Sequence, residues 1–373
     1  VVGAARVAAA CGVADIITVD IGGTSADIAL IAGGRIGLTQ HGHVGEWPLP
    51  LPMVDMVTIG AGGGSLARVE DGTLRVGPES AGARPGPAAY GHGGMQATVT
   101  DAHVVLGHLP ARLLGGRMAL DAEAARAAVE RVARPLGLSA EEAARGILAI
   151  ADNRMVGAMR VVSVERGHDP RAFTLVPFGG AGPLHGCALA DLLGIRRVLV
   201  PPAPGILCAD GLLAADLKAE FSQALPVAGP AEPEAAEQAR AWFDEEGVAE
   251  ADRQTVPMAL MRYRGQGAEL AVPFAQTRAG LEAGFAAAHK ALFGFTLAAP
   301  VELVTLRVEA TGAKRGMEAP VLAPAPMPAP SDHVLVALPA GRATVPVFDR
   351  AALGNGATFD GPAIVTQLDT TTL

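Results

Sequence analysis

Residues 16–31, IITVDIGGTSADIALI, hold two apolar runs hinged on a glycine-rich turn, and few folds accept that pattern. Ile16–Val19 reads as a buried strand, Ile21–Ser25 as a tight turn, and Ile28–Ile31 as a second strand that stops at Gly33 and Gly34. A further buried strand is read at Phe173–Phe178, then the turn GGAGPLH opening a helix, then a strand in RRVLVPP. Strand, helix, strand in that order predicts a parallel α/β layer.

The intervening chain reads as helices and ordered loop. Residues 1–12 form a small-residue helix closed by Gly12, Asp121–Ala133 is amphipathic, and a long helix starts at Ser139 and ends near Gly167. Ser139 and Glu142 have capping-box spacing: the hydroxyl accepts a free backbone N–H and the carboxylate reaches back. Glycines crowd residues 60–94 too densely for a helical layer, while Pro78, Pro85 and Pro87 stiffen the stretch against a linker reading. Composition shifts near residue 226 to an acidic, linker-like run. A smaller α+β region follows, with strands in MALMRYRGQ and VELVTLRVEATG around a helix at Ala279–Leu292. The Pro-rich run EAPVLAPAPMPAPSD reads as an extended spacer before a final β segment.

The 373 residues suffice for two or three domains, and half of them are apolar, which excludes a disordered chain. A net charge of −9 argues against nucleic acid as the main partner. Cys11, Cys187 and Cys208 form no CxxC pair, so neither a disulfide framework nor a zinc site is expected, and a reducing cytoplasm is. No membrane-spanning run and no signal peptide are read. The chain opens at Val1 inside a helical run and closes just after a strand-like one, so a fragment of a longer protein is expected.

Three motifs could carry chemistry. Asp20-Ile-Gly-Gly-Thr24, with Ser25 and Asp27, makes a hairpin whose turn amides and hydroxyls can face a phosphate. An aspartate there would act through Mg²⁺ or orient a water. Taken alone, a plain Gly-turn hairpin is an equal reading. Gly179-Gly-Ala-Gly182 with Pro183 and His185 leaves room for a flat ring and offers amides at a helix N-terminus, or serves only a tight turn. Gly60–Ser65 suggests backbone approaching a ligand or another chain. The pairs His41/His43 and His103/His108 lack the i, i+4 spacing with Glu of a zinc protease, so surface or hydrogen-bonded histidines are expected. Arg160, Glu165 and Arg166 read as a solvated face, and Ser65 or Cys187 as nucleophiles lack an elbow motif.

In order along the chain, DIGGTSADIALI, TIGAGGGSLARVEDGTLRVGPESAGARPGPAAYGHGG, TVTDAHVVLG, RVVSVERGHDPRAFTLVPFGGAGPLHGCALADLLGI and VLVPPAPGILCADGLL resemble the hydantoinase A / oxoprolinase family. The match is dense over 1–225 and looser beyond. The sequence departs from the family pattern at Ala26, His103 and Cys208, where Thr, Asn and Ser are common. The resemblance implies an actin/hexokinase/Hsp70-like ATPase lobe, an RNase H-like mixed sheet with flanking helices, over 1–225. A smaller α+β C-terminal region would cover 226–317, a Pro-rich linker 318–332 and a C-terminal β segment 333–373. It implies ATP and Mg²⁺, with Gly22, Gly23, Thr24 and Ser25 at the phosphates and Asp20 and Asp27 as catalytic residues. Asp20 would also hold the metal through water, and Gly179, Gly180 and Gly182 would lie at the adenosine. It further implies a cyclic amide substrate such as a hydantoin or 5-oxoproline, activated by phosphorylation for ring opening, and a hydantoinase B-type partner, separate or fused. A ketone carboxylase subunit and a non-catalytic assembly lobe are the alternatives. Only one D-x-G-G-T turn is present where the superfamily uses two, so the chain by itself is expected to be inactive.

Overall fold

A computed structural model describes residues 1–373 except 40–41, 45–46, 50–52, 225–233, 268 and 314–322. His41, most of the acidic run after 226 and the start of the Pro-rich run lie outside the described residues. In chain order α1 (Val2–Ala10) precedes β1 (Ile16–Ile21), β2 (Ala26–Ala32), β3 (Met56–Ile59) and the hairpin β4 (Ser65–Glu70) and β5 (Thr73–Ser80). Then come α2 (Val99–Val105), the short hairpin β6 (Arg112–Leu113) and β7 (Met118–Ala119), α3 (Ala122–Ala133), α4 (Ala140–Val162), β8 (Thr174–Phe178), α5 (Gly182–Leu193) and α6 (Leu207–Ala214).

β1 is the centre of the sheet. It pairs antiparallel with β2, Ile16 against Ile31 and Ile21 against Ala26, and parallel with β8, Ile16 against Thr174 and Asp20 against Phe178. β3 adds antiparallel to the outer edge of β2. An antiparallel meander whose first strand is joined by a parallel strand after a helical excursion is the RNase H-like mixed sheet that was expected. The strand expected in RRVLVPP is reduced to one parallel bridge, Leu175 with Val198. Pro201 and Pro202 have no N–H with which to extend that ladder.

Alternation along β1 divides the core. Ile17, Val19 and Ile21 face a core built with α2, α3, α4 and α5, whereas Ile16, Val176 and Phe178 face Ala4 and Ala8 of α1 and Leu207 of α6. The long helix begins as its sequence requires: Glu142 N–H donates to Ser139 Oγ at 3.2 Å and Ser139 N–H to Glu142 Oε2 at 2.8 Å. It ends at Val162, and a short 3₁₀ turn carries the chain to Gly167, whose φ of 81° only glycine adopts freely.

Contacts divide the chain into one unit of residues 1–213 with 318–373 and a second of 214–317. The second is a four-stranded antiparallel sheet, ordered Leu217–Ala224, Val301–Gly312, Arg253–Tyr263, Leu270–Pro273, with helices Glu234–Glu245 and Arg278–Phe293. The strand 217–224 precedes the composition shift at 226 yet pairs along its whole length with 305–312. In the first unit the C-terminal strands Asp332–Leu338, Gly341–Asp349, Ile364–Thr366 and Thr371–Thr372 form a further sheet, and Ala337 N–H donates to Leu106 O at 2.9 Å.

Candidate functional site

A cleft of about 310 Å³ opens in the first unit where the β1–β2 turn meets the N-terminal turn of α5. Gly22, Gly23 and Gly63 form one wall, Gly180, Ala181 and Leu184 another, and Leu113, Leu114 and Met118 of the β6–β7 hairpin an apolar third. Thr100 of α2, Tyr90 and Leu109 complete the floor, and Gln367–Thr371 reach in from the C-terminal sheet.

The glycines of the two loops divide by what surrounds them. A Cβ built on Gly22 or Gly23 meets nothing within 4 Å, and on Gly180 only Asp369 O at 3.9 Å; none of the three has a left-handed φ. Neither backbone conformation nor packing demands glycine there, so open space in front of the amides is what they provide. Gly179 is different. Its φ is 80°, and a Cβ would lie 2.4 Å from Asp20 Oδ1 and 2.5 Å from Ile21 O. Gly182 sits in the first turn of α5, packed on Pro177. Gly179 and Gly182 therefore shape the loop without lining the cleft.

The third glycine motif supports the first. Gly63 N–H donates to Gly22 O at 3.0 Å and Gly64 N–H to Gly23 O at 2.6 Å. A Cβ on Gly62 would stand 2.8 Å from Gly22 O and Thr24 N. Backbone lies directly on backbone, which explains the density of glycine after residue 60. With both carbonyls occupied, Gly22 N–H closes the turn on Ser25 O at 3.1 Å. Among the described residues, the Gly23 and Thr24 amides donate to no backbone carbonyl. The Thr24 hydroxyl lies 3.4 Å from Ser80 Oγ, which reaches Gly23 O at 3.3 Å. Thr24 and Ser25 do not line the cleft.

Asp20 and Asp27 stand directly opposite each other across the hairpin. By strand alternation both face the α1/α6 side, and they stand at the base of the turn without lining the cleft. Asp27 Oδ1 accepts from Thr58 Oγ1 at 2.6 Å, and Asp20 Oδ2 from the Cys208 thiol at 3.0 Å. Cys208 is otherwise exposed, but partial burial of its sulfur and then the bond to Asp20 push the thiol up to about 11. Like charges directly opposed destabilise a sheet unless a cation or donor lies between them. Mg²⁺ takes one or two carboxylates and fills its octahedron with water and phosphate oxygens, a demand this pair fits. No cluster of three or more metal-ligating side chains occurs among the described residues.

The C-terminal wall was not foreseen from sequence. Thr370 Oγ1 donates to Gly180 O at 3.0 Å, Gly205 N–H to Asp369 Oδ2 at 2.7 Å, and Gln367 Nε2 to Pro202 O at 3.0 Å. Leu368 reaches across to the β6–β7 turn, where a Cβ on Gly115 would meet its Cδ1 at 3.2 Å.

The model of the hydantoinase/oxoprolinase family matches residues 1–221. The chain belongs to that family. This family member is 35% identical to the caprolactamase subunit alpha of Pseudomonas jessenii over 389 residues, covering 97% of this chain and 56% of that subunit. It superposes on the crystal structure of ATP-dependent caprolactamase from the same organism with a TM-score of 0.72, at 35% identity, over 100% of this chain and 58% of that one. On nucleotide-free acetone carboxylase, an enzyme of ATP-dependent acetone carboxylation, the TM-score is 0.82 at 26% identity, over 100% of this chain and 57% of that one. The chain thus spans little more than half the length of these relatives. The actin-like ATPase lobe expected from the motifs is the fold observed. No helix among the described residues is long and apolar enough to cross a membrane.

Proposed function

We propose that this family member is the nucleotide-binding part of an ATP-dependent hydrolase that activates a cyclic amide, such as a hydantoin, 5-oxoproline or similar lactam, for ring opening. The observation that carries the reading is the open space before Gly22, Gly23 and Gly180, three glycines that neither packing nor backbone geometry requires. Phosphates lie against the β1–β2 turn, where the Gly23 and Thr24 amides have room to donate, and adenosine lies against Gly180 and the N-terminus of α5. Mg²⁺, held through water by Asp20 beside Asp27, supplies charge neutralisation on the phosphates when bound.

The lactam oxygen attacks the γ-phosphorus, an O–P bond forms, and the bond to the β-phosphate oxygen breaks to release ADP. The phosphorylated imidate carbon then accepts water, cleavage of the C–N bond expels the amine and opens the ring to an acyl phosphate, and a second water displaces the phosphate to leave the carboxylate. Catalysis of the transfer asks only for position and electrostatic complementarity. A B-type subunit or fused half completes the reaction, and the three unpaired cysteines suit a reducing cytoplasm.

A second reading, an ATP-dependent ketone carboxylase subunit, draws support from the higher TM-score to acetone carboxylase, 0.82 against 0.72. ATP turnover by the whole protein with its partner, measured with lactams or hydantoin and with ketone plus bicarbonate, separates the two. Cyclic-amide-dependent ADP release is expected. Stimulation by ketone and bicarbonate alone would transfer the assignment to the carboxylase reading, and stimulation by neither would leave the assembly-lobe reading.

A further inference from the structure

Beneath the cleft four buried side chains form one hydrogen-bonded line. Asp152 of α4 meets His185 of α5, with Oδ1 and Nδ1 2.6 Å apart. His185 Nε2 meets His103 Nε2 of α2 at 3.2 Å, and His103 Nδ1 meets His108 Nδ1 at 3.0 Å. The line ends with His108 Nε2 on Ala337 O at 3.1 Å, in the strand Asp332–Leu338. Asp152, His185, His103 and His108 are 7%, 1%, 3% and 8% exposed.

A carbonyl only accepts, and that settles the direction of every bond. His108 Nε2 donates to Ala337, so its Nδ1 accepts from His103 Nδ1–H. His103 Nε2 then accepts from His185 Nε2–H. One proton remains for the His185–Asp152 link, on either partner. Each of the four links holds one proton, and His103 and His108 are neutral. A further proton on either ring sets N–H against N–H and breaks a link. Burial and the neighbouring imidazoles hold His103 well below the usual histidine range, and burial lowers His108. The titratable and charged side chains acting on His108 are His185 of α5, and Asp152 and Arg145 of α4; Arg145 is itself paired with Glu141 at 2.6 Å. Buried Asp101, two residues before His103 on α2, accepts from the amides of Ala88, Ala89 and Thr98.

Each histidine adjoins a residue of the cleft. His185 follows Leu184, His108 precedes Leu109, and His103 lies one helical turn after Thr100. The line therefore joins the segments that carry one wall and the floor of the cleft, and at Ala337 it also ties in the C-terminal sheet.

We propose that Asp152, His185, His103 and His108 are positioning residues that brace the cleft: with one proton on each link they hold its walls at the spacing the ligand needs, and one added proton releases the brace and weakens binding. The proposal rests on the reading of the cleft as the nucleotide site, and it is tested at two levels that fail separately. Nitrogen-15 NMR of histidine-labelled protein reads the tautomers with or without nucleotide. The expected pattern is His103 protonated on Nδ1 and His108 on Nε2, both neutral. The opposite tautomer at either ring overturns the brace.

Calorimetric titration with Mg²⁺–ADP, from about pH 8 down to about pH 5, then reads its effect. Release by one proton makes Kd rise about tenfold per pH unit below the release point. His103→Phe keeps the ring volume without the links. Its Kd is expected to be about tenfold weaker near neutral pH and to follow only the ligand's own titration in acid. Asp152→Asn, whose amide can donate to His185 Nδ1, keeps one proton on each link and should stay within about twofold of the parent near neutral pH. If His103→Phe fails to fold, the parent pH profile and Asp152→Asn carry the test. A parent profile without the acid rise, or Asp152→Asn as impaired as a broken chain, overturns the proposal.

Discussion

Asp20 and Asp27 are direct cross-strand partners, two carboxylates on the same face at the end of one hairpin. Phe178 is the parallel neighbour of Asp20, and the Thr58 hydroxyl and Cys208 thiol each engage only one of the two carboxylates. In the proposed site a Mg²⁺ ion stands between the two carboxylates.

Asp20→Asn removes one charge at constant size and keeps an acceptor for the Cys208 thiol. The urea midpoint should hold or rise slightly, while Mg²⁺-dependent ATP turnover in the whole protein falls by on the order of 10²-fold or more. Thr24→Val should weaken nucleotide binding by only about 1 kcal/mol, the worth of one neutral hydroxyl. The reverse ranking would pass the metal role to Asp27.

Gly23→Ala and Gly62→Ala should separate space for a ligand from space for the fold. At Gly23 the new methyl meets nothing within 4 Å, so Tm should be unchanged while nucleotide Kd rises about tenfold or more. At Gly62 the methyl would press on Gly22 O and Thr24 N at 2.8 Å, so Tm and affinity should both fall. Differential scanning fluorimetry beside calorimetric titration reads both. A Gly23→Ala protein that binds normally would remove the phosphate from this turn.

Leu368 is 57% exposed yet spans the mouth of the cleft. Leu368→Ala should leave stability within about 0.5 kcal/mol and weaken ligand binding by up to about tenfold, through lost apolar cover alone. Unchanged affinity would make the C-terminal wall a bystander.

Stability should decline in acid. His103 and His108 have folded-state values depressed by burial, so the unfolded chain takes up their protons first. The stabilisation is complete above the ordinary histidine value of about 6.5 and is lost as pH falls below it, by up to about 1.4 kcal/mol per proton per pH unit. Urea midpoints measured across this range provide the check, and His103→Phe should flatten the slope. Equal slopes in both proteins would contradict the assignment.

Local patterns carried much of this in the sequence. The hairpin at 16–31, the Ser139 capping box and the parallel strand at 174–178 depend on nearest neighbours and on period-two burial, which a single sequence displays. Gly22, Gly23 and Gly180 were legible as a class, but not their separation from Gly179 and Gly182, because that depends on which atoms would meet a Cβ. The brace was hidden for another reason. His103 and His108 were noticed and read as hydrogen-bonded histidines, yet their partners lie as far as 229 residues away, and no spacing rule spans that distance. Residues 367–371 lie in the looser part of the family resemblance, in GPAIVTQLDTTTL, where no residue type announced a role at the cleft.

The second unit leaves and returns at one place: Leu217 and Gly312 are cross-strand neighbours. Thr370 must find Gly180 from 190 residues away, a long loop to close. Once the second unit has folded, roughly 95 of those residues are already gathered between adjacent ends, and the remaining search is correspondingly shorter. The insertion thereby sets an order of assembly. Its sheet draws every strand from the unit itself, so it is expected to form before the C-terminal residues dock and complete the cleft.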